Sequence, residues 1–425
     1  MTKNFLSNQA PKGTTDWLPE ELRIRQYIFS AWRKICLSYG FEEYLTPLVE
    51  SSEIYRAKSG EEVGGKELVS FHDLGGRELS IRPEMTPSVT RLVTKIYASS
   101  TKPIKFFSIA NFMRQEKPQR GRNREFWQLN CDIFGSPSLL ADLEIMQLSL
   151  DIMYAFGAPE NSFTLRINSR KFLDNLLLEL DINIKDKNKI FRIMDKYSKL
   201  NEDNFLKSLN ELGVDKQKAK LLSLFMKDGQ LESLKINLTA NKELLIAKEE
   251  IDFILNQLTG LGYKQAIFDP TLIRGFDYYD SLVFEVFDNH PDNQRALFGG
   301  GRYNGLAEIF GGESFPAVGA APGDETTKLF LETWQLLPVF IDQRYYLPLL
   351  SSKLIPDWQK LALSLRQEGK EILQAFEVQK ARKALEFANK QGIGQVVIFG
   401  EDENTQKIYK IKDMKTGEET SYRLQ

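Results

Sequence analysis

Apolar side chains recur at helical spacing near the start of the chain and then give way to a strand-like pattern. Residues 19–39 carry apolar positions with a period of 3.6 and end at Gly40, which predicts a helix with a glycine stop. From Phe41 to about Phe134, short runs rich in β-branched and aromatic residues are broken by Gly, Pro and charged turns, which favours strands. Within this stretch, Gly75-Gly76 predicts a hairpin turn.

The middle of the chain changes from strand signals to helix signals and back again. An amphipathic helix is predicted from Leu139 to Phe156, ended by Gly157. Residues from about 170 to 262 contain few prolines and several segments of period 3.6, whereas the strand-like pattern resumes at Ala266 and continues to about Gly323. The pattern therefore predicts a helical insertion over 170–262 within a strand-rich region.

The C-terminal part of the chain alternates strand and helix. A connecting stretch at 331–343 leads to the strand-like YYLPLL, a helix from Pro356 to Glu368, and the strand-like segments QVVIFGED and IYKIKDM. This order predicts a small α/β domain with βαβ units over 344–425. The length of 425 residues also exceeds one compact core and suggests roughly three domains at about 150 residues each.

Composition narrows the class of protein. Charged residues make up 27% of the chain and hydrophobic residues 42%, which is typical of a soluble globular protein. The formal net charge is −2, so any nucleic acid must be held by local basic patches. Only two cysteines and two histidines are present, at Cys36, Cys131, His72 and His290. A disulfide framework, a cysteine or multi-histidine metal site and a histidine-based triad are therefore not expected. With no apolar signal core and no long apolar run, we expect a cytoplasmic protein with no membrane segment.

A basic segment is the first candidate for chemistry. Residues 114–124, RQEKPQRGRNR, contain five Arg or Lys residues and one acid. Pro118 and Gly121 predict a turn, so these charges should lie on a loop between strands. Arginine binds phosphate well because its planar fork donates two parallel charge-assisted hydrogen bonds. Taken alone, such a segment is more often a solvated charged loop.

The surrounding sequence, FMRQEKPQRGRNREFWQ, resembles motif 2 of the class II aminoacyl-tRNA synthetases in the form found in the histidyl-tRNA synthetase family. The resemblance implies that Arg114 binds the α-phosphate of ATP and that Glu116 contacts the adenine end. It further implies that Arg122 is a second basic residue of the active site and that Phe126 stacks on adenine. ATP is then a substrate, with Mg²⁺ bound to its phosphates.

Neighbouring segments resemble the parts of the family that bind the amino acid. In WQLNCDIFG, Gln128 and Asp132 match polar side chains that hold histidine, although many bacterial relatives have Glu where this chain has Asp132. In IRPEMTPSVTR, Glu84 and Thr86 match residues that bind the α-amino group of the substrate. A carboxylate is a physically suitable partner for an ammonium group.

Two later segments resemble regions specific to histidyl enzymes. LIRGFDYYDSLVFEVF carries Arg274, which the resemblance places beside the α-phosphate as a catalytic cation like Arg114. The resemblance also implies that Tyr278 and Tyr279 of this segment line the histidine pocket. FGGGRYNGL carries Tyr303, implied to contact the imidazole ring. A glycine-rich string by itself is weak evidence, but both segments occur in order after the basic segment.

The resemblance covers almost the whole chain and implies its architecture. PKGTTDWLPEE matches the opening signature of the family, and GFEEYLTPLVE resembles motif 1, whose proline, here Pro47, lies in the dimer interface of the family. The implied fold class is an α+β catalytic domain, with an antiparallel sheet flanked by helices, at 1–330, interrupted by the insertion. Residues 344–425 would form an α/β anticodon-binding domain, and a homodimer is expected.

The chain departs from the family at motif 3. The matching stretch is PAVGAAPGDETTKLF, and Thr326 stands where the class normally has an arginine that meets the γ-phosphate of ATP. Losing such a contact costs a few kcal/mol of transition-state stabilisation. Lys328 and Arg302 are two cations that could substitute for it.

Two functions remain open at this point. The first is activation of histidine with ATP and its transfer to tRNA(His), an aminoacyl-tRNA ligase activity. The second is a non-catalytic histidine-binding protein resembling the regulatory subunit of ATP phosphoribosyltransferase, which would account for Thr326 but normally lacks the anticodon domain. A prolyl or threonyl enzyme is disfavoured by the segment from Arg274 to Tyr279.

Overall fold

The chain forms two compact units, Met1–Leu337 and Pro338–Gln425. The computed structural model describes residues 6–57, 62–182, 187–234, 241–273, 278–293 and 295–424, with the backbone alone at 62, 232 and 233. The first unit is built on a mainly antiparallel sheet with flanking helices, and the second on a smaller mixed sheet. This arrangement confirms the predicted fold class.

The first unit contains an eight-stranded sheet and a three-stranded sheet. The strands are β1 (Glu42–Glu43), β2 (Val49–Ser51), β3 (Val69–His72), β4 (Glu78–Ile81), β5 (Ile104–Met113), β6 (Glu125–Phe134), β7 (Phe163–Ser169), β8 (Ala266–Phe268), β9 (Leu282–Asp288), β10 (Ala296–Arg302) and β11 (Ala317–Ala320). The large sheet has the order β1-β5-β6-β11-β10-β9-β7-β8, in which only the outermost pairs, β1 with β5 and β7 with β8, are parallel. The small sheet is antiparallel with the order β2-β4-β3.

Ten α-helices of the described residues accompany these sheets. They are α1 (Pro19–Ser38), α2 (Ser52–Arg56), α3 (Thr86–Ile96), α4 (Leu139–Ala155), α5 (Arg170–Glu179), α6 (Lys187–Met194), α7 (Glu202–Glu211), α8 (Lys216–Asp228), α9 (Lys242–Gly260) and α10 (Asp324–Thr333). Helix α1 buries Ile28, Trp32 and Cys36, which are spaced four residues apart on one face, and stops at Gly40, whose φ is +74°. The first and second helices predicted from the sequence are thus confirmed.

Two local predictions in the strand-rich region have different outcomes. The hairpin at Gly75-Gly76 is confirmed, because β3 and β4 pair across that turn. The prediction of strands separated only by turns from Phe41 to about Phe134 is correct for β1 to β6 but missed helices α2 and α3. Proline in the first turn of α3 favours helix initiation, and Val89 and Val93, four residues apart, are both buried.

The segment from α5 to α9 lies between β7 and β8 and is helical in its described parts. It is not a separate compact unit, because Leu176 and Ile254 belong to the same hydrophobic cluster as Leu165 and Ile167 of β7. The C-terminal end of the first unit lies beyond residue 330. Helix α10 continues to Thr333, and its Leu331 is fully buried in the same hydrophobic cluster.

The second unit has a five-stranded sheet with helices between its strands. Its elements are β12 (Tyr345–Leu349), α11 (Ile355–Gln367), β13 (Ile372–Val378), α12 (Ala381–Lys390), β14 (Gln395–Ile398), α13 (Glu401–Thr405), β15 (Ile408–Asp413) and β16 (Glu419–Arg423). The strand order is β13-β12-β14-β15-β16, in which β12 is parallel to both β13 and β14 and the pairs β14-β15 and β15-β16 are antiparallel. Trp358 and Leu365 of α11 pack in its core.

Across both units, none of the described helices has the length and apolar character needed to span a membrane.

Candidate active site

Strand β6 separates the core from the open face of the large sheet. Leu129, Cys131 and Ile133 alternate along β6 and belong to the large hydrophobic cluster. Because side chains of a strand point alternately to opposite faces, Gln128 and Asp132 lie on the other face. The polar residues that the sequence singled out on this strand therefore share the side of the sheet away from the main core.

Glycines in the neighbouring strands make room for these side chains. Gly319 of β11 pairs with Asp132, and a Cβ at Gly319 would lie 2.0 Å from the Oδ1 atom of Asp132. A Cβ at Gly300 of β10 would lie 2.1 Å from the carbonyl oxygen of Gly319, and one at Gly301 would lie 3.0 Å from a ring carbon of Tyr279. A side chain at Gly319 would occupy the space of the Asp132 carboxyl group, and side chains at Gly300 and Gly301 would meet the neighbouring strand or the Tyr279 ring, so glycine is required at these positions.

Asp132 and Tyr303 form a buried hydrogen-bonded pair. The Tyr303 hydroxyl donates to Oδ1 of Asp132 at 2.5 Å, and the two residues are only 2% and 4% exposed respectively. Burial raises the pKa of Asp132 from 3.8 to about 7, and the hydrogen bond from Tyr303 partly opposes this rise. Near neutral pH this carboxyl is poised between its protonated and ionised forms.

Glu84 and Tyr278 form a second buried pair. The Tyr278 hydroxyl donates to Oε2 of Glu84 at 2.9 Å. Glu84 lies two residues before Thr86, the first residue of α3, and is 3% exposed. Burial raises the pKa of Tyr278 well above its usual value, the negative charge of Glu84 raises it further, and the Thr86 side chain lowers it. These three residues therefore meet at one place although they come from distant segments.

Three tyrosine rings connect the two pairs. The ring centroids of Tyr278 and Tyr279 are 5.0 Å apart, those of Tyr278 and Tyr303 are 5.8 Å apart, and those of Tyr279 and Tyr303 are 6.4 Å apart. We call the three tyrosines with Asp132 and Glu84 the tyrosine pocket. It combines aromatic surface with two buried carboxyl groups, a combination that suits a small ligand bearing a cationic group and a polar ring.

Gln128 lies four residues before Asp132 on β6. Its side-chain amide donates to the Ala321 carbonyl at 3.1 Å, and its backbone forms a bridge with Gly323. Gln128 therefore joins β6 to the segment that leads into α10.

The basic loop, residues 114–124, connects β5 to β6, as predicted. At its base the guanidinium of Arg114 donates from Nε to the Pro83 carbonyl at 2.9 Å and lies 5.1 Å from the centre of the Phe126 ring. Within the loop, Arg122 and Glu116 form an ion pair at 3.3 Å. Arg114, Glu116, Arg122 and Phe126 are thus gathered at one end of β6, beyond the tyrosine pocket.

Thr326 lies in the first turn of α10, and its hydroxyl donates to the Leu297 carbonyl at 2.7 Å. The two suggested substitute cations are bound elsewhere. Lys328 pairs with Glu21 at 2.7 Å, and Arg302 is buried with its Nε 2.9 Å from Oδ1 of Asp142. The expectation that one of them replaces the missing arginine is not supported, because both charges are neutralised by carboxylates.

The sequence did not predict a buried ion cluster that lies next to the first turn of α10. Arg25 of α1 pairs with Asp324 at 2.7 Å and with Glu325 at 2.8 Å, and Asp324 also accepts the backbone N–H of Trp127 at 2.9 Å. Burial raises the pKa of Asp324 to about 7 against the opposing effect of Arg25. The cluster joins α1, α10 and β6, and positions the start of α10 against the sheet.

Arg274 lies outside the described residues, so the structure says nothing of its position. Among the residues described, no group of three or more His, Cys, Asp or Glu side chains could hold a metal ion. His72 is exposed, and the His290 ring meets Trp334 edge-on with centroids 5.5 Å apart. Neither histidine lies in the tyrosine pocket.

Comparison with known proteins gives a consistent result. A family model described as Histidyl-tRNA synthetase matches residues 13–323. A protein named Histidine--tRNA ligase from Leptospira biflexa is 39% identical over 418 residues, which cover 97% of this chain and 95% of that protein. One of the same name from Pyrococcus furiosus is 37% identical over 422 residues, with coverage of 97% and 96%.

Solved structures show the same fold. Histidyl-tRNA synthetase from Nostoc sp. PCC 7120 superposes with a TM-score of 0.82 at 24% identity, covering 99% of this chain and 97% of that one. A Bacillus halodurans protein described as an ATP phosphoribosyltransferase regulatory subunit/histidyl-tRNA synthetase superposes with a TM-score of 0.73 at 23% identity, covering 90% of this chain and 95% of that one.

Proposed function

The chain belongs to the histidyl-tRNA synthetase family, and from this premise we propose that it activates histidine with ATP and transfers the histidyl group to tRNA(His). The observation that carries the proposal is the tyrosine pocket, in which Asp132 and Glu84 each accept a hydrogen bond from a buried tyrosine. Histidine offers an ammonium group at one end and an imidazole ring at the other. The two buried carboxyl groups match these two ends.

In this proposal the Glu84 carboxylate binds the α-ammonium group, with Thr86 and Tyr278 beside it. An ammonium desolvated in such a pocket requires an anionic partner. Asp132 accepts the imidazole N–H, and the hydrogen bond from Tyr303 fixes the orientation of that carboxyl group.

Tyr279 supplies aromatic surface along the ring, and Gln128 is a further polar contact of histidine on the resemblance alone. The histidine carboxylate then points away from Glu84 toward the base of the basic loop. The reacting group is thereby held at the end of the site where phosphate would bind.

ATP is the second substrate, and it binds at the base of the basic loop. Phe126 stacks on adenine, Glu116 accepts from its amino group, and Arg114 and Arg122 bind phosphates. The position of Arg114 beside the Phe126 ring supports this assignment, because adenine and α-phosphate lie close together in ATP. On the resemblance alone, Arg274 is a second cation at the α-phosphate.

The reaction has two steps. A carboxylate oxygen of histidine forms a bond to the α-phosphorus of ATP and pyrophosphate leaves, which gives histidyl-adenylate. A hydroxyl of the terminal ribose of tRNA then attacks the carbonyl carbon, AMP leaves, and the hydroxyl proton passes to the medium. Arg114 acts in the first step by stabilising the charge on the α-phosphoryl oxygens.

Mg²⁺ would reach the site bound to ATP, because Mg²⁺ with nucleotides takes most of its ligands from phosphates and water. When bound, the ion neutralises charge on the β- and γ-phosphates.

We assign binding of the tRNA anticodon to the second unit, Pro338–Gln425, and catalysis to the first unit, Met1–Leu337, with the helices between β7 and β8 as its insertion. Helix α12 and the residue before it supply Lys380, Arg382 and Lys383. Basic side chains on one exposed helix suit a phosphate backbone. A homodimer through the segment around Pro47 and a cytoplasmic location complete the proposal.

A regulatory, non-catalytic histidine-binding role is the second candidate, favoured by Thr326 alone. Against it, the basic loop keeps Arg114, Glu116, Arg122 and Phe126 in one place, and the second unit is present. Relatives named as ligases cover nearly the whole chain. Loss of catalysis does not explain why the ATP-binding residues are retained.

The test is histidine-dependent exchange of labelled pyrophosphate into ATP, followed by charging of tRNA(His). We expect exchange with histidine and none with proline or threonine. Arg114→Ala should lose exchange while it keeps histidine binding, because Arg114 lies outside the tyrosine pocket. Folded protein that binds histidine but shows no exchange would refute the ligase and favour the regulatory role.

A further inference from the structure

The residue that replaces the motif 3 arginine removes one cation from the end of the site that would hold the terminal phosphates of ATP. Thr326 is uncharged and its hydroxyl donates to the backbone of Leu297. Lys328 and Arg302 are each paired with carboxylates. If the chain activates histidine as proposed above, the terminal phosphates of ATP need a positive group from another part of the fold.

Three elements converge around Thr326. Its hydrogen bond to Leu297 places the first turn of α10 beside the start of β10. Leu329 is one turn further along the same face of α10, and a Cβ at Gly121 would lie 3.3 Å from its side chain. The tip of the basic loop, the Thr326 face of α10 and the start of β10 are therefore neighbours.

Arg295 lies directly before β10, at this convergence. Its guanidinium donates to the Arg120 carbonyl at 3.2 Å and to the Gln119 side-chain oxygen at 3.3 Å, both at the tip of the basic loop. Both acceptors are neutral, and both bonds are long. In the described part of the chain, Arg295 forms no ion pair, so its charge is not neutralised as those of Lys328 and Arg302 are.

We propose that Arg295 provides the cation for the β- and γ-phosphates of ATP that the motif 3 position lacks in this chain. Its two long bonds to the loop hold the guanidinium near Thr326 and can be exchanged for stronger charge-assisted bonds to phosphate oxygens. The same bonds tie Arg295 to the loop that carries the α-phosphate arginine. This inference rests on the proposed function and deepens it by naming a further nucleotide-binding residue.

The test compares ATP with AMP, because only ATP has the phosphates that Arg295 would contact. Calorimetry on the full-length protein gives both dissociation constants, and no catalysis is needed. Arg295→Ala should raise the dissociation constant for ATP roughly 10- to 100-fold, as expected for a lost hydrogen-bonded charge contact, and that for AMP less than about twofold. Arg366→Ala, at an exposed arginine of the second unit, serves as the matched control and should change neither.

The kinetics of pyrophosphate exchange should also distinguish the binding of ATP from the binding of histidine. In pyrophosphate exchange, Arg295→Ala should raise the KM for ATP and leave the KM for histidine unchanged, and Arg295→Lys should recover part of the ATP preference. Equal weakening of ATP and AMP, no weakening of either, or a lysine variant no better than alanine would overturn the inference. Wild-type protein that prefers ATP to AMP through Arg295, yet shows no histidine-dependent exchange, would refute only the proposed function.

Discussion

Replacing Asp132 by asparagine should stabilise the free protein at alkaline pH. Burial raises the pKa of this carboxyl from 3.8 to about 7 in the folded chain. Because the folded-state pKa is above the unfolded value, the contribution of the protonated carboxyl to stability is complete below about pH 4 and is lost as the pH rises through about 7. At about 1.36 kcal/mol per pKa unit, the loss in the wild type reaches about 4 kcal/mol above about pH 8.

The asparagine variant has no proton to lose, and its amide oxygen still accepts the hydrogen bond from Tyr303. Urea denaturation of both proteins without substrate should therefore show a stability difference that grows by about 2–3 kcal/mol between about pH 5 and about pH 8. Asp203→Asn, at an exposed acid of α7, is the control and should give a constant difference. A pH-independent difference for Asp132→Asn would refute the description of Asp132 as a buried carboxyl with a raised pKa.

The same substitution should impair histidine binding. If Asp132 accepts the imidazole N–H, loss of its charge should raise the dissociation constant for histidine roughly 10- to 100-fold at about pH 8. Titration of the variant with histidine by calorimetry measures this. Unchanged affinity would remove Asp132 from the binding site. The two measurements together separate the cost of this carboxyl in folding from its use in binding.

Two further substitutions test the packing around the site. Gly300→Ala should lower the free energy of unfolding by about 1–3 kcal/mol or more, because the new Cβ would lie 2.1 Å from a backbone oxygen of β11. Gly305→Ala is the control and should be tolerated in the same urea denaturation, because a Cβ there would meet nothing within 4 Å. Equal effects would contradict the close approach of the strands. Arg25→Met should cost about 3–5 kcal/mol because Asp324 and Glu325 lose their cation, so that the buried Asp324 must either stay unpaired or take up a proton. Arg33→Met, which breaks an exposed pair with Glu43, should cost less than about 1 kcal/mol; similar losses would refute the importance of burial.

Much of the fold was predictable because its long helices carry a clear apolar period. Helix α1 and the helices between β7 and β8 follow that period and end near glycines or polar turns. Helix α3 was missed because a short segment rich in Val and Thr within strand-like sequence has the composition of a strand. Its proline and the spacing of Val89 and Val93 were the available signals.

The site was only partly predictable, and for a different reason. Resemblance to a family identified residues that the fold does bring together, such as Glu84 with Tyr278 and Asp132 with Tyr303. It could not identify the pairing of Arg25 with Asp324, which are separated by 299 positions and lie in the second turn of α1 and the first turn of α10. Local periodicity contains no information on such pairs, since their geometry is set by how whole elements pack.

Strand β11 is the last strand of the large sheet to be synthesised, yet it lies in the middle of that sheet, between β6 and β10. On the ribosome, a nascent chain that ends before residue 317 can form β1-β5-β6 and β10-β9-β7-β8 only as two separate halves, each with an unpaired edge. Asp132 belongs to one half and Tyr303 follows the other, so their hydrogen bond forms only when β11 joins the halves. A chain truncated before β11 would therefore be unable to bind histidine and prone to association through those edges. The binding site and the continuous sheet form only after β11 has been synthesised.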